Sequence, residues 1–206
     1  LSSEGELVLR ARPDLGPEHA EISLEKGAHL VLAGLEPLDL RAQRIELVGV
    51  IERRAGARFR PVSIHAHGKV LVTPDEGVAR GDTLTVEFDE TGKHARGTLD
   101  GAPELELVLR GAKLVDVPIE LLREGDTLTV KLDGAGPLEL SLGDVRDFTF
   151  TGPARLQLPA IGAVLECDSS IRGQGVIVDG VEERELVADG NVRFKYEDST
   201  LSTASL

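Results

Sequence analysis

Tryptophan and methionine are absent from this chain of 206 residues, and one tyrosine, one cysteine and five phenylalanines are all it has of those types. Aromatics at 3 % leave little surface for stacking on sugars, so a core must be built from Leu, Val, Ile and Ala, which an apolar content of 41 % can supply. The single thiol, Cys167, rules out an intrachain disulfide. In the apolar run AVLECD it reads as a small buried hydrophobe and not as a nucleophile. No apolar stretch reaches the roughly 18 residues that a membrane-crossing helix needs. Basic residues are in deficit, 23 against 36 acidic, for a net charge of −13. That argues against a nucleic-acid partner, which needs a basic face, and against adsorption to an anionic membrane. A chain that opens Leu1-Ser2-Ser3 and holds no methionine reads as processed or trimmed, part of a longer protein.

Catalytic constellations are missing as well. Ser63, Ser169 and Ser170 lack a nucleophile-elbow context. Glu104 and Glu106 are paired only as alternate residues of a polar strand face. No phosphate-binding glycine loop opens a helix, and Gly173-Gln174-Gly175 reads as a turn. His65 and His67, two apart on one strand, share a face, but a metal site needs further ligands and none stands at ligand spacing. Neither an enzyme nor a bound metal or cofactor is expected.

What is present is a repeat. Gly27, Gly68, Gly111, Gly152 and Gly190 each sit between alternating apolar residues, at spacings of 41, 43, 41 and 38. A second word, GDTLTV, starts at Gly81 and again at Gly125. Fixed-period similarity points to stacked units that bury their apolar faces on one another. Period-two alternation dominates, with turn signals such as Asp100-Gly101, Asp133-Gly134 and Asp179-Gly180 between the runs. The fold class predicted is all-β: a repetitive, solenoid-like antiparallel stack of two facing sheets. A period near 41 holds about four short strands, two rungs of such a stack, and the body is on the order of 45–50 Å long. Val115–Gly125 is expected to form strand-turn-strand, and residues 1–17 an irregular or incomplete first unit ahead of one repetitive domain over 18–206. The apolar set falls at even offsets after four of the glycines and at odd offsets after Gly27, so the glycines are candidate bends or bulges where the faces reset.

The inward face of those strands is the candidate site. It comprises Val70, Val72, Leu84, Val86, Phe88, Leu107, Leu109, Leu128, Val130, Leu132, Phe148, Phe150, Leu156, Val192, Phe194 and Tyr196. Fully closed sheets would make this line a packed core. Splayed sheets would make it a continuous apolar groove.

The stretches LVADGNVRFKYEDSTLSTASL (Leu186–Leu206), HAHGKVLVTPDEGVARGDTLTVEFDETG (His65–Gly92) and LVLRGAKLVDV (Leu107–Val117) resemble the OstA-like repeats of periplasmic lipopolysaccharide transport proteins. Gly190-Asn191-Val192 carries the match best; Gly68-Lys69-Val70 and the Gly-Asp-Thr word carry it more loosely. The resemblance implies a twisted β-jellyroll open along one side (a β-taco) in the Gram-negative periplasm, with a membrane anchor outside this sequence as one option. It further implies lipid acyl chains in the apolar interior, end-to-end stacking through terminal strands and a role in outer-membrane biogenesis. A structural β-solenoid or surface scaffold with a closed core explains the same repeats without cargo. A carbohydrate-active β-helix is disfavoured by the scarcity of aromatics.

Overall fold

The computed structural model describes residues 6–32, 38–52, 58–73, 77–91, 94–110, 127–141, 147–178, 181–197 and 199–205. Those residues are all-β and build one antiparallel sheet. The strands are β1 (Leu7–Ala11), β2 (His19–Leu32), β3 (Leu38–Glu52), β4 (Arg58–Thr73), β5 (Gly77–Phe88), β6 (Ala95–Asp100), β7 (Glu104–Arg110) and β8 (Thr127–Gly134). They continue as β9 (Leu138–Ser141), β10 (Phe148–Thr151), β11 (Ala154–Leu158), β12 (Ala163–Cys167), β13 (Ser170–Val178), β14 (Val181–Tyr196) and β15 (Ser199–Ser205).

The pairings reduce to a simple meander of long strands, each bent near its middle. The β6–β7 segment runs beside β5 over its whole length, with β6 on Thr83–Phe88 and β7 on Gly77–Arg80. The β8–β9 segment runs back along it, β8 on β7 and β9 on β6. The β10–β11 and β12–β13 segments continue the pattern, and β14 pairs with both halves of the last. The bends line up into a crease that folds the sheet into two leaves. The first leaf holds β1, the outer parts of β2 to β5, then β6, β9, β10, β13 and Val181–Asp189. The second holds the remaining parts of β2 to β5, then β7, β8, β11, β12, Val192–Tyr196 and β15.

The crease has a local cause. Lys26-Gly27, Gly68-Lys69, Gly101-Ala102 and Gly190-Asn191 are consecutive pairs with positive φ. Three of these pairs oppose a single residue of the neighbouring strand, namely Gln43, Asp82 and Ala204, so each is a two-against-one bulge. Two left-handed residues in succession turn the strand, and glycine takes that conformation without the Cβ clash. The backbone groups freed at the corner find partners across it: Asp168 N–H donates to Gly190 O at 2.7 Å and Ala135 N–H to Pro153 O at 3.1 Å. Asn191 Nδ2 adds a bond to Asp168 Oδ2 at 2.8 Å.

Four expectations change here. Asp100-Gly101 and Asp133-Gly134 lie at corners within bent strands and not in hairpin turns. Gly173-Gln174-Gly175 is strand, part of β13, because a ring from the next strand fills the space over Gly173: an added Cβ there would strike Phe148. The apparent slip of phase at Gly27 is no slip, since the bulge pair there is Lys26-Gly27 with glycine second, whereas Gly68-Lys69 and Gly190-Asn191 place it first. Counted from the bulge, Ala28 and Leu30 match Val70 and Val72. Of residues 1–17, the described part from Glu6 onward holds one regular strand. Leu7–Ala11 forms β1 along the first-leaf half of β2, and Arg12 donates to Asp14 and Glu21, holding both carboxyls below their usual range. Gly111, Val115–Gly125 and Asp179-Gly180 lie outside the described residues.

Both leaves turn their apolar alternates inward, into one shared cluster that runs from β2 to β14. The repeated GDTLTV word shows how the leaves divide. Thr83–Phe88 lies in the first leaf, while Thr127–Asp133 lies in the second. The same alternation serves either leaf, because only the period of two matters.

Candidate functional site

The inward line is where the sequence places it. Val70, Val72, Leu84, Val86, Leu107, Leu128, Val130, Leu132, Phe148, Phe150, Leu156 and Val192 are all buried in the shared interior. Phe88, Phe194 and Tyr196 are half-buried and pack against it. Leu109 lies on β7 opposite Leu128, its side chain outside the described part of the structure. Sequence reasoning left out equal members of the line, among them Leu24, Leu30, Leu40 and Ile45 on the first two long strands. Counting offsets from Gly27 and not from the bulge hid their phase. Leu105, Leu138 and Leu140 show the alternation openly and belong to the same cluster.

Val72, Val86 and Phe150 are 0 % exposed. A channel wide enough for an acyl chain would leave such side chains open, so the leaves are in contact along the middle rungs. The interior loosens toward the hairpin ends opposite the crease. There Phe59, Phe88 and Ile161 are only partly buried, as are Phe194 and Tyr196 at the last rung. Most of the few aromatic side chains thus stand at the margin of the interior and not at its centre. Burial, and secondarily Glu197, raises the Tyr196 phenol, which stays neutral at physiological pH.

Nothing polar interrupts the line among the described residues. The one buried polar residue, Ser23, alternates with inward Leu24 and donates to Glu21 Oε1 at 3.1 Å on the outer side. Cys167 is buried in the same cluster, and burial pushes its thiol pKa upward, away from a reactive thiolate. His65 and His67 lie on the outer face of the first leaf opposite Glu46 and Arg44, with Thr85 Oγ1 at 3.5 Å from His65 Nδ1. No group of three potential ligands forms among the described residues. Among the described residues no helix is long and apolar enough to cross a membrane. The arrangement therefore offers a long aliphatic interior without directional contacts, and polar outer faces laced by pairs such as Arg155–Glu166 at 3.8 Å.

No protein-family model, no curated protein and no solved structure matches the chain.

Proposed function

We propose that this chain handles lipid in the cell envelope, as a periplasmic segment whose two leaves part at the hairpin side to take acyl chains into the apolar interior. The continuity of that interior carries the proposal: every rung from β2 to β14 contributes inward Leu, Val, Ile, Ala or Phe to one cluster. Each methylene moved from water into it gains about 0.8 kcal/mol, so a chain of about 12 carbons gains roughly 9 kcal/mol gross. That gain offsets the parting of leaves held by similar aliphatic contacts. Among the described residues the one hydrogen-bonding side chain buried in that interior, Cys167, is already bonded to Ser170 O, so nothing fixes a preferred resting position, which suits transfer along its length. The resemblance of Leu186–Leu206 to lipopolysaccharide transport repeats points to the same class of cargo. With a net charge of −13, the outer surface repels an anionic headgroup. Affinity then comes from the acyl chains and rises as salt screens the repulsion.

The contact between leaves favours a second reading, a structural module with a permanently closed core. Photocrosslinking amino acids at Phe88, Phe194 and Glu87 separate the two. Under the lipid reading, Phe88 and Phe194 capture lipopolysaccharide from micelles and the outward Glu87 does not, with capture increasing between low and moderate salt. Equal labelling at all three positions, or none, together with lipid-free protein in native mass spectrometry, leaves the structural module standing.

A further inference from the structure

The two leaves are unequal where β3 and β4 cross them. On β4 residues 58–67 stand on the first-leaf side of the Gly68-Lys69 corner, and only residues 70–73 on the second-leaf side. On β3 the division is residues 44–52 against 38–42. The first leaf therefore overhangs the second at these strands. The neighbouring strand does not follow the overhang. Among the described residues Ser63 and Glu87 are the last pair between β4 and β5; beyond it β4 runs on through residues 58–62, and β5 only to Phe88. The β3–β4 hairpin thus projects about four residues, roughly 13 Å, past the strand beside it.

A bulge makes the inner side of this overhang apolar. Val48 pairs with Ser63 and Gly49 with Pro61, so Val62 is the extra residue on β4. Without it the alternation from inward Ile64 would turn Arg60 inward. With it Phe59 turns inward, opposite Ile51 and over Gly49, while Arg60 turns out and its Nε donates to Glu52 Oε1 at 2.9 Å. Ile51, Phe59, Pro61, Val62 and Phe88 are all only half-buried. At β9 and β10 of the same leaf, Leu140 and Phe148 are 3 % and 4 % exposed. We propose that the overhang is a landing shelf for a single acyl chain, where lipid first meets the protein before the leaves part. The shelf rests on the lipid reading and gives it an entrance. A chain laid there covers apolar surface that is already open, so part of the hydrophobic gain precedes any separation of buried contacts. The shelf leads inward without a break, because Phe59 and Phe88 pack against the shared cluster. A protein strand is a poor occupant of the bare β4 edge. Pro61 has no N–H, the bulge interrupts the ladder, and Arg58 and Arg60 flank the proline. An acyl chain asks for no hydrogen bond from that edge.

Stopped-flow fluorescence with cis-parinaric acid, an acyl probe that brightens in apolar surroundings, tests the shelf on the full chain. Ile51→Glu and Phe59→Glu put a charge on the shelf, and Ile161→Glu puts the same charge at the margin of the second leaf. An entrance governs traffic in both directions. Each shelf variant should therefore slow uptake and release together, by about tenfold or more, and leave the equilibrium affinity nearly unchanged. Ile161→Glu should stay close to the unmodified chain, and Phe59→Gln should act like Phe59→Glu without the added charge. A merely structural role would lower affinity or melting temperature without this paired change in rates. Benzoylphenylalanine in place of Phe59 keeps an aromatic ring and covers the case of a variant that fails to fold. It should capture the probe earlier than the same group in place of Phe194. Unchanged rates in the shelf variants, equal slowing by Ile161→Glu, or later capture at Phe59 overturns the shelf and leaves the lipid reading in place. Capture of a second copy of the chain at Phe59 instead of the probe also overturns it. A probe that never enters the unmodified chain overturns the lipid reading, and the shelf with it.

Discussion

Rings over glycines recur at the residue scale. Phe148 lies over Gly173, Phe59 over Gly49 and Phe150 over Gly134, and in each case an added Cβ would collide with the ring. A strand glycine exposes backbone and packs nothing, and a ring from the neighbouring strand, or for Phe150 from across the crease, restores the lost contact. Gly173→Ala should therefore destabilise by about 1–3 kcal/mol in urea denaturation, from overpacking against a buried Phe148. In Phe148→Leu the ring is gone, and the same glycine substitution should lose most of its effect, because the two positions share one space. Equal penalties in both backgrounds would mean that backbone strain, and not the ring, sets the requirement. Gly173 looks like a turn in the sequence because glycine-rich triplets usually are turns. The ring that keeps it in a strand comes from 25 residues upstream, a distance no local pattern registers.

Bends at the scale of the element explain what the period of 41 measured. One repeat is two long strands, each broken by the crease into two halves, which is why four short strands fit the spacing. Alternation exposed the strands and their inward face, and glycine spacing exposed most of the crease. Two features escaped for physical reasons. The bulge is a two-residue unit that accepts glycine in either place, so counting from glycine alone shifts the phase. A corner inside a strand also uses the same Asp-Gly chemistry as a hairpin turn, so Asp100-Gly101 gave no local hint of its role. The crease itself is testable at Gly68. Its φ is +77°, and an added Cβ would meet the Gln43 side chain. Gly68→Ala should cost about 1–3 kcal/mol, and adding Gln43→Ala, which removes the two closest side-chain atoms, should recover most of the steric part, leaving about 1 kcal/mol or a little more of left-handed strain. Thermal melts of the single and double variants read this directly. A double variant no more stable than Gly68→Ala would assign the whole effect to the backbone.

Considered as a whole molecule, the fold makes two leaves from one sheet, and its stability depends on whether they act as one body. Phe150 is the place to ask. It belongs to the first leaf, is 0 % exposed and is the largest of the fully buried side chains. Its ring also lies 2.7 Å from where a Cβ on Gly134 of β8 would stand, so it bridges the crease to the second leaf. Phe150→Ala should destabilise by about 3–5 kcal/mol, the usual range for emptying a buried aromatic site. If the leaves share one interior, hydrogen exchange should quicken together in β9 and β10 of the first leaf and in β8 and β11 of the second. Stacked rungs contact mainly their neighbours, so protection in β2 and β3, several rungs away, should change much less. Loss confined to the first leaf would instead describe two sheets that merely touch. Such sheets part easily, whereas a shared core resists, so under the lipid proposal the extent of coupling across Phe150 would set how readily the interior opens.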